Sequence, residues 1–275
     1  ATHDTNDPID SPRCQPGTRI LILQRLVDWA QRTDNRSLLR WVFGSAGVGK
    51  SAIARSLAEL LLTEGRVGAS FFFRTANGRN HPRFLISTIA YQLAFAIPEI
   101  RPYIAIAVEE SPFLFQQSLE SQIDRLIVQP TLLACIPSER VIIIDGLDEC
   151  DDRNAQRRIV EAIGNAAPRL AGKLKFLIFS RPEFDIESTF DQPAVKAVTS
   201  SVNLESDLQA YDDIRLFLQT KFEEIRRTHP LKSNIKKSWP SDSQISALVS
   251  KSSGMFIFAQ TVIKYIATSY ELRNA

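Results

Sequence analysis

Residues Gly44-Ser45-Ala46-Gly47-Val48-Gly49-Lys50-Ser51 follow the pattern G-x-x-x-x-G-K-[ST]. They lie between a β-rich run, SLLRWVF (37–43), and an Ala- and Leu-rich run with helical periodicity (51–63). No other segment constrains the fold as tightly. Glycines at 44, 47 and 49 let the backbone turn sharply and aim successive N–H groups inward, the arrangement that cradles an anion. The helix that starts near Lys50 adds its positive dipole end. In this pattern the Lys50 ammonium belongs at the β- and γ-phosphates, the Ser51 hydroxyl belongs on Mg²⁺, and Ala52 closes the segment. A glycine-rich turn arising by chance has no reason to sit between a strand and a helix.

Elsewhere strands and helices alternate. A polar lead-in with prolines at 8, 12 and 16 precedes a helix expected to be capped by Thr18 and stopped at Asp34 and Asn35. GASFFF (68–73) is apolar throughout, as a strand buried on both faces must be. Helices are expected over 82–97 and 118–135. RVIIID (140–145) has four β-branched residues in a row and is the strongest strand signal. A helix follows over 154–167, capped by Asp151 or Asp152, then a buried strand KFLIFS (175–180) and a fifth strand at 197–204. After about residue 205 the pattern is helical only, at 212–227, 242–252 and 256–270. The alternation predicts an α/β parallel sheet with helices on both faces. The expected divisions are a linker and helix over 1–36, a nucleotide-binding domain over 37–205 and a helical domain over 206–275.

Two further strand ends carry chemistry. VIIIDGLDEC (141–150) closes an apolar strand with Asp145. Ligands of parallel sheets sit at the carboxyl ends of strands, so Asp145 is placed to hold Mg²⁺, partly through water. Gly146 follows, leaving Asp148, then Glu149, as candidates to orient an attacking water. The competing reading of this acidic run is a solvated helix cap. Arg181 follows KFLIFS, where a guanidinium can contact γ-phosphate oxygens bidentately; an isolated arginine there is otherwise a surface loop residue.

Composition narrows the partners. A formal charge of +2 argues against nucleic acid and anionic membrane. Arg226, Arg227, Lys232, Lys236 and Lys237 read as a solvated loop. No apolar run reaches the ~20 residues of a membrane span. Cys14, Cys135 and Cys150 lack CxxC spacing, and His3, His81 and His229 are scattered, so neither a disulfide framework nor a metal cluster is expected. A cytoplasmic location follows. The chain opens at Ala1 rather than Met, which suggests a piece of something longer.

The three strand-end segments, with CQPGTR (14–19), SFFF (70–73), AYQLA (90–94), DGLDEC (145–150), FSRPE (179–183) and GMFIFA (254–259), resemble the NACHT domain of large fungal proteins of the STAND class of signal-transduction NTPases. The resemblance implies a P-loop NTPase sheet of ASCE/AAA-like type followed by a helical domain. It implies that residues before the first helix, Pro16 to Arg19, approach the adenine. Gly254 matches the family's helix-start motif, whereas Phe256 stands where a proline is usual. A winged-helix segment, whose histidine holds ADP in relatives, has no counterpart before Ala275. The resemblance further implies ATP/ADP with Mg²⁺ as cofactors, effector and C-terminal repeat domains in the parent chain, and homo-oligomerisation on activation. Such a protein is a slow nucleotide switch in innate-immunity or incompatibility-type responses. No arginine finger is visible in the chain, in keeping with slow turnover. GTP remains open as the alternative to ATP. A non-hydrolysing oligomerisation scaffold is the second reading, and a small-molecule P-loop kinase, which needs an Arg-rich lid, the third.

Overall fold

The computed structural model describes residues 13–34, 37–75, 78–229, 232, 235 and 238–268. The lead-in over 1–12, His3, Asn35, Lys236, Lys237 and the end of the last expected helix lie outside the described residues.

Five strands form one parallel sheet: β1 (Leu39–Phe43), β2 (Val67–Phe72), β3 (Arg140–Asp145), β4 (Leu174–Ser180) and β5 (Thr199–Asn203), in the order β2-β3-β4-β1-β5. β2, β3 and β4 are buried almost end to end, as their unbroken apolar runs require of strands covered on both faces. β4 separates β1 from β3. The register pairs Phe43 with Ser180 and Asp145 with Phe179, so the carboxyl ends of these strands finish level.

The helices are α1 (Ile20–Gln31), α2 (Lys50–Thr63), α3 (Arg83–Ala96), α4 (Arg101–Glu110), α5 (Leu119–Ile123), α6 (Gln129–Leu133), α7 (Arg153–Ala166), α8 (Phe184–Phe190), α9 (Pro193–Lys196), α10 (Ala210–Thr228), α11 (Asp242–Ser252) and α12 (Phe256–Thr268). The chain divides into two units, one of Ala1–Arg13, Leu23–Gly44 and Lys50–Asn203, the other of Cys14–Ile22, Ser45–Gly49 and Leu204–Ala275. In the first, the sheet and its helices bury Phe71, Phe73, Phe176, Ile142 and Ile144, and Trp41 stacks on Phe190 at 4.4 Å. Gly164 of α7 lets α9 approach: a Cβ there meets Val195 at 2.9 Å. Lys175 at the start of β4 forms a buried ion pair with Glu139, just before β3, at 2.8 Å, and donates to the carbonyls of Trp29 and Arg32 at the end of α1. In the second unit, Ile214, Leu218, Phe222 and Ile225 of α10 pack with Ile245, Val249 and Ala259, and Trp239 meets Phe222 edge-on at 5.2 Å.

The chain departs from its sequence pattern in four places. α1 begins at Ile20, not after a Thr18 cap: the Thr18 hydroxyl donates to the Gln15 carbonyl at 2.7 Å, and Arg19 turns the chain with φ +58°. The helix expected over 118–135 is broken into α5, a π-helical stretch (Asp124–Val128) and α6, which ends at Leu133. α4, α8 and α9 occupy stretches not assigned from the sequence. β5 is shorter than the run that predicts it.

Candidate functional site

The phosphate-loop residues follow from β1 directly. Gly47 and Gly49 adopt φ +84° and +102°, which L side chains rarely take, and α2 starts at Lys50. The Lys50 ammonium donates to the Gly44 carbonyl at 2.7 Å, bridging the ends of the loop. Within the second unit, Ser45 to Gly49 are gripped from outside. Ser45 N–H donates to Glu205 Oε1 at 2.7 Å, Ile257 N–H to the Gly47 carbonyl at 3.1 Å, and the Arg19 guanidinium to the Val48 carbonyl at 2.8 Å. A Cβ on Gly47 falls 2.2 Å from Ile257 Cγ2, so only glycine fits against α12. Ala46 is exposed, and Ser51 and Ala52 are half-buried in the first turn of α2.

The Arg19 guanidinium is buried among protein partners. The residue is 3% exposed, forms an ion pair with Asp207 at 2.5 Å, and lies 4.8 Å from the centre of the Phe256 ring. Its backbone N–H donates to Asp213 at 3.0 Å. The side chain ties the loop to the turn before α10, and the backbone N–H reaches α10 itself. Pro16 is exposed, and the neighbouring Gly17 (φ +87°) turns the chain against Leu216.

In the first unit, Asp145 closes β3 and is 1% exposed. Neither carboxylate oxygen has a hydrogen-bond partner of full geometry. Burial pushes its pKa up to about 6, opposed by the nearby Ser51 hydroxyl and the Arg74 charge. Gly146 (φ +73°) then turns the chain so tightly that a Cβ meets the Phe73 carbonyl at 3.1 Å. Asp148 is not a free base: it accepts from Arg181 N–H at 3.0 Å and pairs with Arg181 Nε at 3.1 Å, its side chain 6% exposed. Arg181 is held in turn, its side chain 49% exposed. Glu149 accepts from Thr75 N–H through Oε2 at 3.1 Å. Trp41 donates its indole N–H to Ser180, fixing the end of β4.

The structure thus brings Ser51 to Asp145, Asp148 to Arg181 and Arg19 to Val48. The sequence did not single out Arg74, Glu205 or Ile257. Arg74 carried a usable signal, since it closes the apolar run SFFF as Arg181 closes KFLIFS. Glu205 and Ile257 carried none, because their contacts depend on chain segments about 160 and 210 residues from the loop.

A buried carboxylate without a partner beside a hydroxyl suits a hard cation with oxygen ligands. No group of three or more His, Cys, Asp or Glu side chains among the described residues forms a cage for a metal. Ser51 and Asp145 fit Mg²⁺, which keeps waters and takes its other ligands from phosphate.

The family model described as nephrocystin 3, N-terminal, matches residues 17–181, more than half of the chain. No curated protein matches the sequence. Among solved structures, Orc1 of Aeropyrum pernix in complex with DNA is similar at a TM-score of 0.57, with 16% identity over 93% of this chain and 61% of that one. Cdc6p of Pyrobaculum aerophilum has a TM-score of 0.47 and 15% identity over 77% of this chain and 51% of that one. The chain therefore spans about three-fifths and one-half of the lengths of these two structures. The likeness to Orc1 shows the fold, the parallel α/β sheet of P-loop NTPases with helices on both faces.

Proposed function

This chain belongs to the nephrocystin 3 N-terminal family, and we propose that it binds a nucleoside triphosphate with Mg²⁺ and hydrolyses it slowly as the switch of a larger signalling protein. The observation that carries the proposal is Asp145, buried at the end of β3 with the Ser51 hydroxyl beside it and no hydrogen bond of full geometry to either oxygen. In this role the N–H groups of Gly47 to Ser51 cradle the phosphates, and Lys50 exchanges its Gly44 carbonyl for the β- and γ-phosphates. Mg²⁺, when bound, would neutralise phosphate charge. Ser51 and Asp145 hold that ion, and Glu149, rather than Asp148, orients water.

The finer reading is a NACHT domain of the fungal STAND type, with the sheet domain over 37–205 and a helical domain over 206–275. ATP is preferred to GTP, effector and repeat domains belong to the parent chain, and oligomerisation follows activation. A cytoplasmic location belongs to the same reading. Among the described residues no helix is long and apolar enough to cross a membrane. Nucleic acid stays outside the proposal at a formal charge of +2.

One observation favours the non-hydrolysing scaffold as the second reading. Arg181 occupies Asp148, and Gly146 takes the place where a carboxylate would directly follow Asp145. Phosphate release from Mg²⁺-ATP and Mg²⁺-GTP separates the two. Slow turnover that Glu149→Gln abolishes supports the switch. Turnover of tens per second contradicts it, and nucleotide binding with no phosphate release leaves the scaffold.

A further inference from the structure

After β2 the chain passes through buried Phe73 to Arg74, whose backbone pairs with that of Arg79 in an antiparallel bridge. The residues flanking this bridge are pinned to the end of β3 and the segment after it at three points. Phe73 N–H donates to the Asp145 carbonyl at 2.9 Å, Thr75 N–H to Glu149 at 3.1 Å, and Asp151 N–H to the Asn80 carbonyl at 3.1 Å. Arg74 thus has a fixed backbone next to Asp145 rather than the freedom of a loop residue.

Its side chain is anomalous. Among the described residues it makes no hydrogen bond or ion pair, and its Nε is buried without an acceptor. Asp145, the neighbouring charge of opposite sign, is buried, and beyond the nearby Ser51 hydroxyl neither of its oxygens meets a donor. Arg74 is near enough to favour the ionised form of Asp145, yet the two do not pair. Arg74 is half-buried and Asp145 fully buried, and a buried carboxylate and a buried N–H without partners are costly unless a ligand completes them. What satisfies both at once is a group bearing both signs: a cation for the carboxylate and an anionic oxygen for the guanidinium. Arg181, the other arginine at a strand end, already has its partner in Asp148 and is half exposed.

We propose that Arg74 grips the terminal phosphate of the bound nucleotide, while Arg181, braced by Asp148, holds the segment after β3 in place. This deepens the nucleotide-binding function proposed above and rests on it. A guanidinium binds the oxygens of a terminal phosphoryl group through directed N–H bonds. A diphosphate lacks that group, whereas Lys50 and the loop amides serve both nucleotides. Arg74 therefore sets the preference for triphosphate over diphosphate.

The test is calorimetric titration of the chain with Mg²⁺ and either a non-hydrolysable ATP analogue or ADP, on wild type, Arg74→Ala, Arg74→Gln, Arg74→Lys, Arg181→Ala and Lys50→Ala. Arg74→Ala and Arg74→Gln should each weaken the triphosphate about tenfold or more and leave the diphosphate within about twofold. Arg74→Lys should recover part of the loss, and Lys50→Ala should weaken both ligands. Triphosphate affinity unchanged in either neutral Arg74 variant overturns the proposal. So does an equal loss of both ligands, or loss of selectivity in Arg181→Ala instead. Wild type that binds neither nucleotide removes the nucleotide-binding function itself, and this inference with it; every other failure leaves that function standing.

Discussion

At the scale of single residues, Asp145 carries a liability that the proposed metal relieves. The carboxyl is lifted from 3.8 to about 6 by burial. Between about pH 4 and 6 the native state therefore keeps a proton that the unfolded chain has released, and stability falls as pH rises across that window. Above it the penalty is complete, on the order of 3 kcal/mol. Asp145→Asn should thus stabilise the metal-free chain at about pH 7.5, an advantage that shrinks as the pH drops to about 4.5. Urea unfolding at the two pH values checks this, and an advantage independent of pH refutes it. Asp145 was legible in the sequence because a charge ending a β-branched run has few other uses. The partners of Arg19 and Asp148 were not. The Asp207 and Asp213 contacts of Arg19 span 188 and 194 residues, and Asp148 meets Arg181 only because β3 and β4 are neighbours.

At the scale of elements, the phosphate loop is shaped by its glycines for two different reasons. Gly47 needs both a positive φ and the space that Ile257 fills, whereas Gly49 needs only the positive φ, with open space around it. Backbone strain alone costs about 1–2 kcal/mol at either position. Gly47→Ala should therefore destabilise more than Gly49→Ala, and Ile257→Ala should rescue part of the former and none of the latter. Thermal unfolding of the single and double variants decides it; equal losses at 47 and 49 contradict the packing. α7 offers a simpler check. Asp152 accepts from the N–H groups of Asn154 and Ala155, so Asp152→Ala should cost about 1 kcal/mol, read by denaturant unfolding. β3 and α7 match their sequence patterns closely, because local preference and burial agree there. The short helices α8 and α9 carry no periodicity long enough to assign, yet Pro182 precedes α8 and Pro193 opens α9, positions where a missing N–H costs nothing. The π-helical stretch at Asp124–Val128 has no local signature.

At the scale of the molecule, strand–helix alternation was enough to fix a parallel sheet, but not the order that places β4 between β1 and β3. The second unit has its own core, and Arg19 knits the loop segment Ser45–Gly49 into it through Asp207, Asp213 and Val48. Arg19→Met leaves those carboxylates without their cation and should cost about 3 kcal/mol, seen as a lowered first transition in calorimetry. An unchanged transition would show that the network is incidental. The central claim, a Mg²⁺-nucleotide site built on Lys50, Ser51 and Asp145, is tested most directly by thermal unfolding with Mg²⁺ and ATP, ADP, GTP or GDP, repeated on Lys50→Ala. Ligand at a thousand times its dissociation constant should stabilise the wild type by about 4 kcal/mol. The account predicts a clear upward shift with adenine nucleotides that needs Mg²⁺ and is lost in Lys50→Ala. No shift with any of the four nucleotides, or the same shift in Lys50→Ala, would contradict it.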